Sequence, residues 1–209
     1  MIKRILNKLF FKLKNKTCKI ERGAVISLKA VIGRGCHLGR NCTISANVIM
    51  GNYVRVGEGV KLSNVRIGNN TMLESGVKIV GSGVGKISIG KECYIGVNNI
   101  LDSSNDISIG DFVHIAGPST GLWCHSSAQM CMNSISLTDT NRDKYRPTAP
   151  IIIEDNVYIG CNCTIYPGLK IHHHSILTSN SAITKDVESY FMVGGVPAKV
   201  IKKINMKES

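Results

Sequence analysis

The chain has 209 residues, 43% of them hydrophobic and 19% charged, with 21 glycines and only 5% aromatics. That is enough for one sizeable core built from Ile, Val, Leu and small side chains, and no apolar run approaches the roughly 20 residues needed to span a bilayer. The net charge of +12 suggests nucleic acid, but residues 1–20 supply +7 of it and residues 199–209 another +3, so the near-balanced middle lacks the mixed basic and aromatic face of a nucleic-acid reader.

Residues 2–13 place Ile2, Ile5, Leu6, Leu9, Phe10 and Leu13 at helical spacing among Lys and Arg. This predicts a short basic amphipathic helix within residues 1–19. Such a helix either caps the open end of the fold or rests on an anionic membrane surface through residues 1–16. The N-terminus has neither a clean apolar h-region nor a small-residue cleavage site. The expectation is a cytoplasmic protein with reduced thiols, in contact with the inner face of the membrane only peripherally if at all.

A six-residue repeat then organises residues 20–187. Ile20, Ile26, Ile32, Leu38, Ile44, Met50, Val56 and Leu62 fall at steps of six. After a slip of one, the pattern resumes at Ile67, Leu73 and Ile79, then at Ile89, Ile95 and Leu101, then at Ile109 and Ile115. A last run holds Ile153, Ile159, Ile165, Ile171, Leu177 and Ile183. A period of six would spread these residues around every face of an α-helix, and the recurrent Gly and Asn would weaken a long strand. A short extended piece followed by a turn, repeated, satisfies both facts and coils into a parallel β-helix. Four residues after most marked positions stands a small side chain, among them Cys36, Cys42, Cys93 and Cys163. These cysteines read as core fillers, and no C-x-x-C spacing points to zinc. Residues 116–150, rich in Ser, Thr, Asn and Gly, form the longest interruption, and a loop that long in a solenoid is usually functional. Residues 188–209 read as a C-terminal tail.

The hexads, the long loop carrying His125, and the ending Ile183-Thr184-Lys185-Asp186-Val187 followed by Gly194-Gly195-Val196-Pro197-Ala198-Lys199-Val200-Ile201 together resemble the hexapeptide-repeat acyltransferases. The likeness is greatest to the maltose and galactoside O-acetyltransferases and the acetyltransferases of cell-surface polysaccharides. The resemblance implies an all-β solenoid with a left-handed parallel β-helix, a homotrimer with active sites between subunits, and acetyl-CoA as donor. It also implies a sugar or polysaccharide precursor as acceptor and no metal.

Acetyl transfer to a hydroxyl needs a base, and histidine suits the task. Of the six histidines, His125 matches the family's catalytic histidine, which follows an Ile-Gly-Asp hexad, here Ile109-Gly110-Asp111. His114 is the weaker candidate, and His172–His174 read as a solvated corner. Asn99 stands where other hexads carry small apolar residues, so its amide needs a partner or has a task. The resemblance makes that task oxyanion stabilisation, with Asn98 the alternative if the register is one off. Asp102 is a candidate to accept a bond from a sugar hydroxyl. Carried over position by position, the donor contacts fall on Tyr158, Cys161, Ser179, Thr184 and Lys185, with Lys199 and Lys202 for the phosphates. The competing readings are an N-acyltransferase on an amino-sugar nucleotide, a metal enzyme like the γ-carbonic anhydrases, and a non-catalytic trimeric scaffold.

Overall fold

The computed structural model describes residues 17–205. The helix expected over residues 2–13 lies outside the described residues. The rest is a left-handed parallel β-helix of about nine turns. Strands are two or three residues long over most of the chain, because a turn follows each inward aliphatic residue. The first face stacks strands such as His37–Leu38, Tyr94–Ile95, His114–Ile115 and Tyr158–Ile159. The second runs through Lys78–Val80, Ile100–Asp102, Gly121–Leu122, Thr164–Ile165 and Ala182–Ile183. The third includes Ile87–Ile89, Ile107–Ile109 and Ile151–Ile153.

Three hexads close one coil, so Leu38 pairs in parallel with Val56, eighteen residues on. Each strand's N–H and C=O groups bond to the coils above and below, as His37 N does to Val54 O at 2.9 Å. The hexad aliphatics point inward and are buried, Leu38, Ile95, Leu101, Ile115 and Ile165 completely. Full burial of such a side chain is worth about 1.5–3 kcal/mol. Corners need residues with positive φ, and Asn supplies several of them: Asn41, Asn70, Asn98, Asn156, Asn162 and Asn180 lie between 54° and 59°. Asn tolerates this region because its short amide bonds locally. Across one corner Asn162 Nδ2 donates to Asn180 Oδ1 at 2.8 Å.

The longer insertions collect at a single edge. From the inward residue of the second face to that of the third, the regular step is six, as from Ile165 to Ile171. On three successive coils it widens: Ile79 to Ile89, Leu101 to Ile109, and Leu122 to Ile153. The long loop therefore occupies 123–150 and not 116–150. Gly121–Leu122 still belongs to the solenoid, pairing with Ile100–Leu101 on one side and Thr164–Ile165 on the other. The step from Ile115 to Leu122 is seven, which hid this strand from a count of sixes. The C-terminal segment is also more regular than a tail. Phe191–Gly195 extends the first face and turns back as Ala198–Lys203 in an antiparallel pair.

Cys36, Cys42, Cys93 and Cys163 are 0–2% exposed, and Cys124 joins them in the core. Burial pushes the Cys36 thiol up to about 11. Cys131 is exposed. Native-state labelling with a thiol reagent at pH 8 should therefore modify Cys131 quickly and these five slowly, with mass spectrometry of peptides as the readout. Rapid modification of the five would contradict the inward register.

Candidate active site

Three widened corners stack on one another at the edge between the second and third faces. Gly85 N donates to Ser103 O at 2.8 Å, and Ser103 Oγ donates to Val80 O at 2.7 Å. Above them the chain leaves Leu122 still extended, and exposure alternates with period two. Leu122 and Cys124 turn inward; Trp123 and His125 turn outward. The Trp123 ring folds back over Gly121, where a Cβ would stand 2.5 Å from Nε1. His125 forms an antiparallel bridge to Thr148 on the returning arm of the loop, and Asn105 Nδ2 donates to Thr148 Oγ1 at 3.0 Å.

His125 Nδ1 lies 2.5 Å from Asp102 Oδ2 and 3.2 Å from Ser104 Oγ. Asp102 is fully buried. Its Oδ2 also accepts from Cys124 N at 2.9 Å, and its Oδ1 accepts from Ser104 N at 3.0 Å. Burial alone would raise the carboxyl's pKa. Hydrogen bonds from Ser104, from His125 and from the Cys124 backbone outweigh it and hold the pKa below the usual aspartate value. An ionised carboxylate only accepts, so Nδ1 must carry the proton that it receives. In the neutral ring Nε2 then has a free lone pair. A buried charge has fixed the tautomer of a partly exposed imidazole, the arrangement that prepares a general base. Burial, together with the Asp102 charge, pushes the Cys124 thiol up to about 12, so Cys124 stays protonated.

Two expected roles change. Asp102 is not open to a sugar hydroxyl, because it lies behind the histidine with both oxygens engaged. Asn99 is not open to an oxyanion. It is completely buried; its Oδ1 accepts from Thr120 N at 2.9 Å, and its Nδ2 donates to Ala116 O at 3.1 Å and Ile115 O at 3.3 Å. Its polar atoms close a turn of the core where the hexad step lengthens. Asn98 is the exposed positive-φ residue beside it, so the register placing Asn99 inward was right.

Residues not anticipated complete the site. Ser104 contacts both members of the pair. Gly81, at φ 92°, leaves room for them: a Cβ there would lie 2.2 Å from Asp102 Oδ1 and 2.7 Å from Ser104 Oγ. The signals were the polar run Asp102-Ser103-Ser104-Asn105-Asp106 and the Gly81-Ser82-Gly83-Val84-Gly85 break, both at widened steps.

The donor candidates divide between places. Cys161 and Ser179 share the opposite edge of the second face, with Cys161 Sγ 3.3 Å from Ser179 Oγ. Thr184 and Lys185 follow Ala182–Ile183, on the His125 edge. The face between carries small outward residues at Gly121, Thr164 and Ala182. Tyr158 stands on the first face, 5.5 Å from the His114 ring, which is 4.5 Å from Tyr94. His114 thus belongs to an aromatic column on another face from His125. Lys199 and Lys202 are exposed on the final hairpin strand. His37 pairs with Glu21 at 2.8 Å, His172 lies 3.4 Å from Glu154, and His173 and His174 cluster with Tyr190. Among the described residues no group of three or more His, Cys, Asp or Glu is placed to hold a metal ion.

The family model for the bacterial transferase hexapeptide (six repeats) matches residues 29–64 and 150–185. Both matched stretches lie in the solenoid and carry hexapeptide repeats of that kind. The chain is similar to a chloramphenicol acetyltransferase of Klebsiella aerogenes, 33% identical over 120 residues, covering 57% of this chain and 52% of that protein. It is also similar to the galactoside O-acetyltransferase of Escherichia coli strain K12, 32% identical over 127 residues, covering 58% and 56%. The chain therefore spans about half the length of these relatives. Among solved structures, the polySia specific acetyltransferase NeuO shares the fold at a TM-score of 0.59 and 23% identity, covering 93% of this chain and 91% of that one. The N-acyltransferase AntD of Bacillus cereus, solved with dTDP and coenzyme A, shares it at 0.58 and 19%, covering 95% and 89%.

Asp102→Asn should lower stability at neutral pH by about 1–3 kcal/mol in urea denaturation, because an amide cannot accept all the donors aimed at it. A depressed pKa contributes stability above the carboxyl's unfolded pKa and loses it as pH falls through the folded one. The gap between variant and wild type should therefore narrow in acid. A gap independent of pH would mean that the Asp102 charge is not what these donors hold.

Proposed function

We propose that this chain is an acetyl-CoA-dependent O-acetyltransferase acting on a sugar hydroxyl, in the assembly of a cell-surface polysaccharide. The observation that carries this reading is the buried Asp102 holding His125 with Nε2 free. An inert solenoid gains nothing from a charge buried behind a partly exposed imidazole, whereas hydroxyl acylation needs one that can take a proton and return it. The relatives named above as acetyltransferases and the extended exposed edge beside the histidine support the same chemistry.

In this scheme His125 Nε2 removes the acceptor hydroxyl's proton as its oxygen attacks the thioester carbonyl carbon. The new C–O bond forms, and the carbonyl electrons move onto oxygen. Asp102 stabilises the imidazolium at Nδ1. As the tetrahedral centre collapses, the C–S bond breaks and Nε2–H gives its proton to the departing sulfur. The products are the acetyl ester and the free thiol, and His125 returns to its starting tautomer. Cys161, Ser179, Thr184 and Lys185 are the groups we assign to the pantetheine arm, with Tyr158 beside them on the first face. Lys199 and Lys202 supply cations for the phosphates, and no carboxylate pairs with them among the described residues.

His125→Ala should cut turnover by on the order of 10²–10⁴ while leaving the fold intact. Turnover of the wild type should fall on acidification, since a protonated ring has no lone pair at Nε2, and Asp102 stays ionised there because its pKa is depressed. Lys202→Ala should instead raise the KM for acetyl-CoA and keep turnover at saturation. Thiol release from acetyl-CoA against a panel of sugars, amino sugars and nucleotide sugars measures all three. Near-normal turnover in His125→Ala would remove the proposed base.

We also propose that the chain assembles as a trimer. Met132 projects from the loop at 82% exposure, and Val31, Ile49 and Ile152 are exposed on the third face. A neighbouring copy would cover apolar side chains of this kind. Sedimentation at micromolar concentration should give a species near three times 22.7 kDa; a stable monomer would overturn the assembly.

A further inference from the structure

The loop beyond His125 shapes an open chamber of about 450 Å³. That is within the ordinary range for small-molecule sites. One side is formed by the short helix Ala128–Met132 and the other by the turn Arg142–Tyr145. Its walls include Met130, Ile135 and Leu137, which are apolar, and Ser127, Arg142 and Arg146, which are not. The loop's own bonds hold this shape: Ile135 N donates to Met130 O, and Arg142 donates to Leu137 O. The chamber is tied to the histidine through the chain. Ser127 is two residues past His125, and Ser126 N donates to Pro147 O, the residue after Arg146, at 3.2 Å.

Two guanidiniums line this space and no carboxylate does. The nearest acid to Arg146 is Asp143, 3.7 Å from it and 80% exposed, where solvent leaves an ion pair little strength. Arg146 Nε is the one buried side-chain nitrogen or oxygen without a hydrogen-bond partner among the described residues. A buried N–H normally finds an acceptor. The Arg146 side chain as a whole is 29% exposed, within reach of an anion in this space, and a guanidinium fork matches carboxylate and phosphate oxygens in pairs.

We propose that this chamber is the acceptor subsite and that the acceptor is an anionic sugar, its carboxylate or phosphate held by Arg142 and Arg146. The C–H face of the ring lies against Met130, Ile135 and Leu137, which brings a hydroxyl toward His125. The role as acceptor rests on the acetyl-transfer reading; anion binding in the chamber stands on the residues alone.

Titration calorimetry of the full chain with glucuronate, glucose 1-phosphate and glucose tests the binding. At least one of the two anions should bind at least tenfold more tightly than glucose. Whichever binds more tightly identifies the group as carboxylate or phosphate. Arg142→Gln and Arg146→Gln should each weaken that binding by about 10- to 100-fold, the range for a hydrogen bond to a charged group. Arg146→Lys should recover only part, because it restores charge without the fork. Arg142 is exposed, so its variant reports on the site even if Arg146→Gln fails to fold. Equal binding of all three sugars, or unchanged anion binding in Arg142→Gln, would overturn the site. The acetylation assay separates this failure from that of the function. Transfer to neutral sugars with KM unmoved by the arginine variants removes the subsite and keeps the transferase. Anion binding without transfer to any sugar removes the transferase and keeps the anion site.

Discussion

Stacking of one coil's backbone on the next is the constraint on which everything else in this structure depends. A strand of two residues has no stability of its own. It persists because its N–H and C=O groups reach partners one coil away, and because the aliphatic residue it carries lands above another. The spacing of eighteen is the sequence's share of that arrangement. An extra residue inside a strand would turn an inward side chain outward and break the ladder on both sides. An extra residue at a corner breaks nothing, so corners are where this chain can depart from regularity.

The chain uses that freedom at one edge on three coils in succession, and the site is assembled there. The lowest widened corner contributes Gly81, whose missing side chain makes a hollow. The next puts Asp102 and Ser104 into the hollow. The third carries His125 over them. Asp102 remains charged while fully buried because donors from three directions surround it, and that charge decides which imidazole nitrogen holds the proton. Function thus follows from register: coils out of alignment by one residue would separate the carboxylate from the ring.

Much of the fold was legible because the inward position accepts few residue types. Ile, Leu and Val at intervals of six announce a coil whatever surrounds them, and Cys36 or Cys163 at the small inward position fits the same rule. The front of the long loop was misplaced because the step from Ile115 to Leu122 is seven. His125 could be picked out from the motif around it. Asn99 stands out as a polar residue at a small apolar position, and the tasks expected of it and of Asp102 both face a ligand. A polar residue in a hexad shows in the sequence; whether its partner is a ligand or the neighbouring coil depends on pairing across twenty or more residues. Ser104 and Gly81 matter only through that pairing, so the polar run and the glycine-rich break that hold them mark a place in the chain but not a role.

The gathering of the longer insertions at one edge also bears on how such a protein can change its substrate. Residues 123–150 hang from two fixed posts, Leu122 and Ile151, whose hydrogen bonds are made to other coils and not to the loop. Beyond Ser126 the loop's length and composition can drift without altering the energy of the stack, while Asp102 below it and His125 at its root stay anchored. On the proposed reading, reaction chemistry and acceptor choice are separate parts of one rod, and selection can rewrite the second while the first stands still.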